Sequence, residues 1–232
     1  KSEKRREKMR KISLYLAMAC AFLLSACSAM KPTPYDYTNY LESKPQSILV
    51  LLPTDTTNDV KGSPAVLAQA ISPLAENGYY VFPPALVYQT FKNNGLTQAQ
   101  EIHNVNPQKL REIFGADAVL YINVDDYGVN YQVFDSVTRV KVSGKLVDLR
   151  NGKTLWEGKG YADDAESNNN GNALAMLVTA VVKQIANNVS DKGYKVAGWA
   201  TGNMLGRSCN GCLLYGPRHP SYGQDPQLKM PQ

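Results

Sequence analysis

Four cysteines, two histidines and two acidic clusters are the residues of this 232-residue chain whose types and spacing suggest chemistry. Cys209-Asn210-Gly211-Cys212 is the sharpest pattern. A C-x-x-C pair supports thiol exchange where a helix N-terminus lowers the pKa of its first thiol inside a thioredoxin-like βαβ unit. Here the pair lies in a Gly-rich stretch with no helix signal after it, so in an oxidising compartment a small structural disulfide pinching the Asn-Gly turn is the expected state. With His219 the pair offers only three zinc ligands, short of the paired sets typical of structural zinc. His103 and His219 are the only imidazoles, which excludes schemes that need several. Asp125-Asp126, and Asp163-Asp164 with Glu166, would suit acid/base work or Ca²⁺ if they converged in a pocket. Both sets fall at strand ends, where solvated acidic turns are expected. Ser167 to Asn172 lacks the glycine and lysine pattern of a phosphate loop, and neither a nucleophile elbow nor a dinucleotide fingerprint occurs.

The other two cysteines belong to an address. Seven of the 25 Lys and Arg residues and two of the 20 Asp and Glu residues lie before residue 12, which leaves 18 of each behind them. The net charge of +5 is therefore a property of the N-terminus, and a basic nucleic-acid-binding domain is disfavoured. Those cations lead into the apolar run Ile12 to Leu24, the charged n-region and h-region of a secretory signal, and shorter than the roughly 20 residues of a bilayer-crossing helix. Leu24-Ser25-Ala26-Cys27 then resembles the lipobox of bacterial lipoproteins, in which small residues precede a cysteine whose thiol receives diacylglycerol before cleavage on its N-terminal side. Cys20 sits inside the h-region, so Cys27 is the better acceptor. Residues 1–26 read as the signal peptide, with Met9 a suitable start and residues 1–8 upstream of it. Ser28 stands where inner-membrane lipoproteins carry aspartate, which points to the outer membrane, with the domain in the periplasm. Several acyl chains hold a protein stably where one holds it marginally. No cofactor is expected beyond this covalent lipid on Cys27.

The elements that must position any site follow. Residues 27–46 hold Pro32, Pro34 and Pro45 with Tyr35, Tyr37 and Tyr40 and no sustained apolar period, so they read as a lipidated cysteine and a flexible tether, with a reach of roughly 60 Å near polyproline geometry. Residues 47–200 read as the domain. Ser47 to Pro53 is a continuous apolar run closed by proline, the pattern of a strand buried on both faces. Val66, Leu67, Ala70, Ile71 and Leu74 recur at helical spacing, and Tyr79 to Phe82 returns as a strand. Helices are expected from Pro84 and from Pro107 to Phe114, then a buried strand at Ala118 to Val124. After Asp126 the period becomes two, and Arg150-Asn151-Gly152 marks a hairpin between strands Val137 to Leu149 and Lys153 to Ala162. Leu174 to Val189 forms one helical stripe expected to lie across the sheet, and residues 201–232 read as an extended tail.

Three segments carry a resemblance: the strand lead-in Phe114-Gly115-Ala116-Asp117-Ala118-Val119-Leu120, the hairpin Val147 to Trp156, and Leu214-Tyr215-Gly216-Pro217-Arg218. With the lipobox and Ser47 to Pro53 they resemble a family of uncharacterised Gram-negative lipoproteins. The lead-in and hairpin are also similar to a wider group that includes the curli secretion lipoprotein CsgG and the amino-terminal domain of TolB. The resemblance implies an α/β domain with a mixed parallel and antiparallel sheet, helices packed on it, and outer-membrane attachment. It further implies work in envelope assembly, secretion or transport, with no enzyme activity. Other envelope proteins, a CsgG-like lipoprotein among them, and further copies of the chain are the expected partners. The alternatives are a periplasmic ligand-binding or transport-auxiliary lipoprotein, with a pocket at the strand C-termini, and a thiol-disulfide redox protein using Cys209 and Cys212. Arg139, Lys141 and Lys145, on the hairpin that would have to line a pore, read as the exposed face of a sheet.

Overall fold

The computed structural model describes residues 33–57, 59–131, 136–164, 192–207 and 209–229. Its centre is the strand β1 (Ser47–Val50), parallel to β3 (Tyr80–Val81) on one side and to β4 (Ala118–Tyr131) on the other. The two-residue β2 (Thr54–Asp55) continues the parallel pairing further along β4. β5 (Ser136–Asp148) and β6 (Thr154–Asp163) add antiparallel, so the order is β3-β1-β4-β5-β6. The mixed sheet expected from the resemblance is thus present. The hairpin at residues 149–153 closes through Gly152, whose φ of +72° is the left-handed conformation that a side chain disfavours.

The apolar run of β1 alternates between two cores. Ile48 and Val50 face one layer, with Leu120, Ile122, Leu146 and Trp156 of the sheet and with α1 (Thr38–Ser43), α2 (Gly62–Glu76) and α6 (Lys192–Met204). Leu49 and Leu51 face the other, against α3 (Pro84–Asn93), α4 (Ala99–His103) and α5 (Pro107–Phe114) through Val87, Phe91, Ile102 and Leu110. Each such fully buried aliphatic side chain contributes about 1.5–3 kcal/mol. α6 was not foreseen as a helix; it presents Val196, Ala197, Ala200, Thr201 and Met204 to the sheet as one stripe. It rests on glycine: a Cβ at Gly160 would lie 2.0 Å from the Ala200 carbonyl oxygen, and one at Gly144 2.9 Å from Met204 Sδ. The stripe from Leu174 to Val189 lies outside the described residues.

Two boundaries require correction. The expected tether extends too far, because residues 34–46 are part of the fold: Tyr37 and Tyr40 are 5% and 4% exposed, and α1 packs against the sheet. A tyrosine tolerates burial when its hydroxyl finds a partner, and Tyr37 Oη donates to the Cys212 carbonyl at 2.5 Å while Tyr40 Oη bonds that of Tyr79. Nor is 201–232 an extended tail. Helix α6 runs into it, Leu205, Leu213 and Leu214 join the first core, and the segment ends in a 3-10 turn at Pro226–Lys229. Short elements held by distant partners leave no periodicity for a sequence to reveal. The remaining helices α2, α3 and α5 and the strands β5 and β6 lie where their patterns place them, while α4 had no strong signal; Asp125-Asp126, expected at a strand end, instead lie within an unbroken β4, at a bulge.

Candidate functional site

The helices of the second layer lie between β3 and β4 in sequence and cover the parallel part of the sheet with Val119 of β4 and Val147 of β5. β4, β5 and β6 follow one another antiparallel, and among the described residues no helix covers their outer face beyond the row of Val119 and Val147. Register arranges its side chains in rows: Tyr121 beside Lys145 beside Glu157, then Asn123 beside Ser143 beside Lys159. Thr54 and His103 form one rim of the groove above these rows, whose volume is about 510 Å³.

The groove's groups are mostly engaged with one another. Asp125, at a bulge in β4, accepts from Asn123 Nδ2 at 2.5 Å and Ser143 Oγ at 3.2 Å. Lys145 Nζ stands 3.6 Å from Glu157 Oε1, both side chains at least half exposed, a pair that contributes little in water. His103 Nε2 hydrogen-bonds the Leu52 carbonyl at 2.9 Å and its ring meets Tyr121 edge-on at 5.2 Å. Burial pushes the His103 pKa down and that of Tyr121 up, so both are neutral at pH 7. Lys159 is a cation without an ion pair among those described. Such a surface recognises by hydrogen bond and charge.

The free edge of the sheet, by contrast, is closed by side chains. Tyr35 Oη accepts from the Glu157 N–H at 2.9 Å, Asn39 Nδ2 donates to the Thr154 carbonyl at 3.1 Å, and Asn203 Nδ2 donates to the Tyr161 carbonyl at 2.9 Å. Capping an edge this way discourages unwanted strand pairing.

Cys209 and Cys212 are disulfide-bonded. The pair follows the C-terminal end of α6, where the helix dipole disfavours a thiolate. Its turn is a set of acceptors: Asn210 Oδ1 takes the Tyr35 N–H at 2.8 Å, the Gly211 carbonyl takes Trp156 Nε1 at 2.8 Å, and the Cys212 carbonyl takes Tyr37 Oη. The disulfide turn therefore fastens the start of the folded chain to β6.

The segments that carried the resemblance are fasteners too. Asp117 accepts from the backbone of Gln46 and Ser47 and from Ser47 Oγ at 3.0–3.1 Å, which fixes the start of β1. Asp148, wholly buried, takes three side-chain bonds from Arg150 at 2.6, 3.0 and 3.2 Å and one from Ser43 Oγ at 2.6 Å. Burial alone would raise the Asp148 carboxyl, but these bonds hold it below its usual value. Gly216 and Arg218 donate backbone N–H groups to Asn77 and Gly78 at the end of α2. Of the acidic clusters, Asp164 accepts from the Thr138 N–H at 2.8 Å and pairs with Lys192 at 3.8 Å, so it closes strand ends; Glu166 lies outside the described residues. Leu24, Ser25, Ala26 and Cys27 lie outside them as well. Among the described residues no group of His, Cys, Asp and Glu is placed to hold a metal ion, and no helix is long and apolar enough to cross a membrane.

A mixed sheet with helices on both faces, one face partly uncovered by the described residues and the edge capped, defines an α/β domain of the kind found in bacterial lipoproteins. Residues 35–218 match the family described as "Putative lipoprotein GNA1162-like", and the chain belongs to that family. The "Putative lipoprotein NMB1124/NMB1162" of Neisseria meningitidis serogroup B is 50% identical over 205 residues, 88% of this chain and 95% of its own. The crystal structure of lipoprotein GNA1162 from Neisseria meningitidis matches with 54% identity and a TM-score of 0.51, over 62% of this chain and 99% of that one. A PelC dodecamer from Paraburkholderia phytofirmans is more remote, at 16% identity and a TM-score of 0.39 over 62% of this chain and 89% of that one.

Proposed function

We propose that this lipoprotein is held to the outer membrane by a lipid on Cys27 and works in the periplasm as a non-enzymatic protein-interaction module in envelope assembly, secretion or transport. The bare face of β4, β5 and β6 is the surface that meets the partner, another envelope protein or a second copy. One observation carries this reading: a three-stranded, register-fixed face is left without a covering layer by the described residues, while the adjoining edge is capped at Thr154, Glu157 and Tyr161. Partners therefore meet side chains rather than adding a strand. The test has two arms in intact cells. A photo-crosslinker at Lys145 should capture a discrete partner, whereas one at Glu76, on α2 in the opposite layer, should not; equal capture from both would refute the surface. Cys27→Ala should release the protein from the outer-membrane fraction, and continued co-fractionation would refute the anchor.

A second reading, a ligand-binding or transport-auxiliary lipoprotein, draws on a cavity of about 600 Å³ beyond the C-terminal end of β1, lined by Leu52, Pro53, Leu67, Pro84 and Tyr88. That is where α/β sheets commonly hold ligands. Retention of a lipid or small molecule through purification would favour it. The thiol-redox reading has less support, since the disulfide turn serves the packing of Tyr35, Tyr37 and Trp156.

A further inference from the structure

The structure contains two almost fully buried aspartates that are treated in opposite ways. Asp148, 0% exposed, is neutralised by the Arg150 guanidinium. Asp225, 2% exposed, receives backbone N–H bonds from Tyr215 at 2.7 Å and from its own residue, has only the His219 ring as a nearby favourable charge, and takes part in none of the described ion pairs; burial outweighs these and pushes its carboxyl up. Withdrawing a carboxylate from water costs several kcal/mol unless a counter-charge compensates it. Asp225 borders a cavity of about 200 Å³ between α1 and the segment 214–228, remote in sequence from the strands of the bare sheet face. The walls of this cavity are aromatic and aliphatic: Tyr40, Tyr215, Tyr222, Leu41, Leu214 and Leu228.

We infer that this cavity is a binding site for an alkylammonium cation, with Asp225 as its counter-ion and Tyr40, Tyr215 and Tyr222 as an aromatic cage. A cation gains from tyrosine faces within about 6 Å of its charge, and gains more when it is desolvated. An ammonium N–H donating to a carboxylate makes a charge-assisted bond of about twice the ordinary strength. The aliphatic walls receive the alkyl chain, and the volume suits a headgroup of a few heavy atoms. An anion would meet the wrong charge, and a neutral guest would leave Asp225 uncompensated.

The cage is preorganised. Tyr40 is tied through its hydroxyl to Tyr79, whose own hydroxyl donates to the Leu214 carbonyl at 2.6 Å. His219 stacks on Tyr215 with ring centroids 3.9 Å apart, which fixes that ring. Lys44 lies at the rim, exposed, and makes no described ion pair with Asp225. Tyr222, 44% exposed, marks the open side.

The same ammonium chemistry occurs in a lysine side chain and in an aminoalcohol headgroup, so the test separates them. The purified full chain is titrated at constant ionic strength with n-butylammonium, choline, phosphoethanolamine and, as an uncharged isostere, n-butanol, by calorimetry and by amide NMR. At least one of the three cations should bind at least tenfold more tightly than n-butanol and move the amide resonances of Tyr215 and Asp225. Preference for n-butylammonium indicates a lysine-like guest, and preference for choline or phosphoethanolamine a headgroup. Asp225→Asn keeps an acceptor for the Tyr215 N–H without the charge; it should bind at least tenfold more weakly while melting no lower than the wild type. Tyr222→Leu, at a half-exposed position, should weaken the cation and leave n-butanol unchanged. Equal binding of n-butanol and the cations, unchanged binding in Asp225→Asn and Tyr222→Leu, or no saturation at tens of millimolar of any cation would overturn the proposal.

Discussion

Replacing both cysteines of the 209–212 turn, as Cys209→Ala with Cys212→Ala, tests whether the disulfide is a fastener. Closing so short a loop removes little entropy from the unfolded chain: with four residues in the loop, the chain-entropy relation gives about 2 kcal/mol near room temperature. That is the lower bound. If the turn then loses its shape, the Gly211 and Cys212 carbonyls and Asn210 Oδ1 cease to receive Trp156 Nε1, Tyr37 Oη and the Tyr35 N–H. Three such bonds at about 1 kcal/mol each bring the total to about 5 kcal/mol. For a domain of this size the lower bound corresponds to a fall in Tm of about 4–8 °C. Thermal melts followed by far-UV circular dichroism read the stability, and a reductant should reproduce the shift in the wild type. Local release has its own reporter: Trp156 is wholly buried while Trp199 is 55% exposed, so in a Trp199→Phe background the emission of Trp156 should move to the red before global unfolding. A double variant that melts within about 1 °C of the wild type with unchanged emission would refute the fastener, since a 2 kcal/mol loss at this size cannot hide in so small a shift.

Two further outcomes follow from close contacts. Asp148→Asn should cost about 2–3 kcal/mol, the low side of breaking a buried pair because half-exposed Arg150 can rehydrate. Since Asp148 titrates below its unfolded value, its contribution is present above the ordinary carboxylate pKa of about 4 and is lost as pH falls through the depressed folded value; urea midpoints should therefore decline in acid less steeply for the variant than for the wild type. Gly160→Ala should cost about 1–3 kcal/mol through overpacking, because the new methyl must push α6 away from the sheet; an unchanged urea midpoint would refute the contact.

The parts of the fold that were legible in the sequence are those governed by neighbours along the chain. The doubly buried β1 shows as an unbroken apolar run because both of its faces are covered, and the β5–β6 hairpin shows because only glycine sits easily at its +72° φ. Helices α2, α3 and α5 announce themselves by period and by proline at the start. Nothing local marks Tyr37, Tyr40, Trp156 or Asp225 as partners. Tyr37 bonds a carbonyl 175 positions away and Tyr79 one 135 positions away, so a six-residue helix at one end and an irregular segment at the other become ordered only against each other. Of the candidate sites, the C-x-x-C pair was visible as a motif, but the tyrosines and tryptophan it holds were not.

By itself the sequence determined that the net charge is concentrated before residue 12, that Leu24-Ser25-Ala26-Cys27 resembles a lipobox, and that strands and helices alternate before a meander, because charge, spacing and period are all local properties. The tertiary structure alone decided which sheet face the described helices leave uncovered and which aspartate finds an arginine. It also decided that α1 and the segment 214–228 meet, with a small aromatic cavity between them. Those are consequences of which distant surfaces pack together, and a linear pattern does not encode them residue by residue.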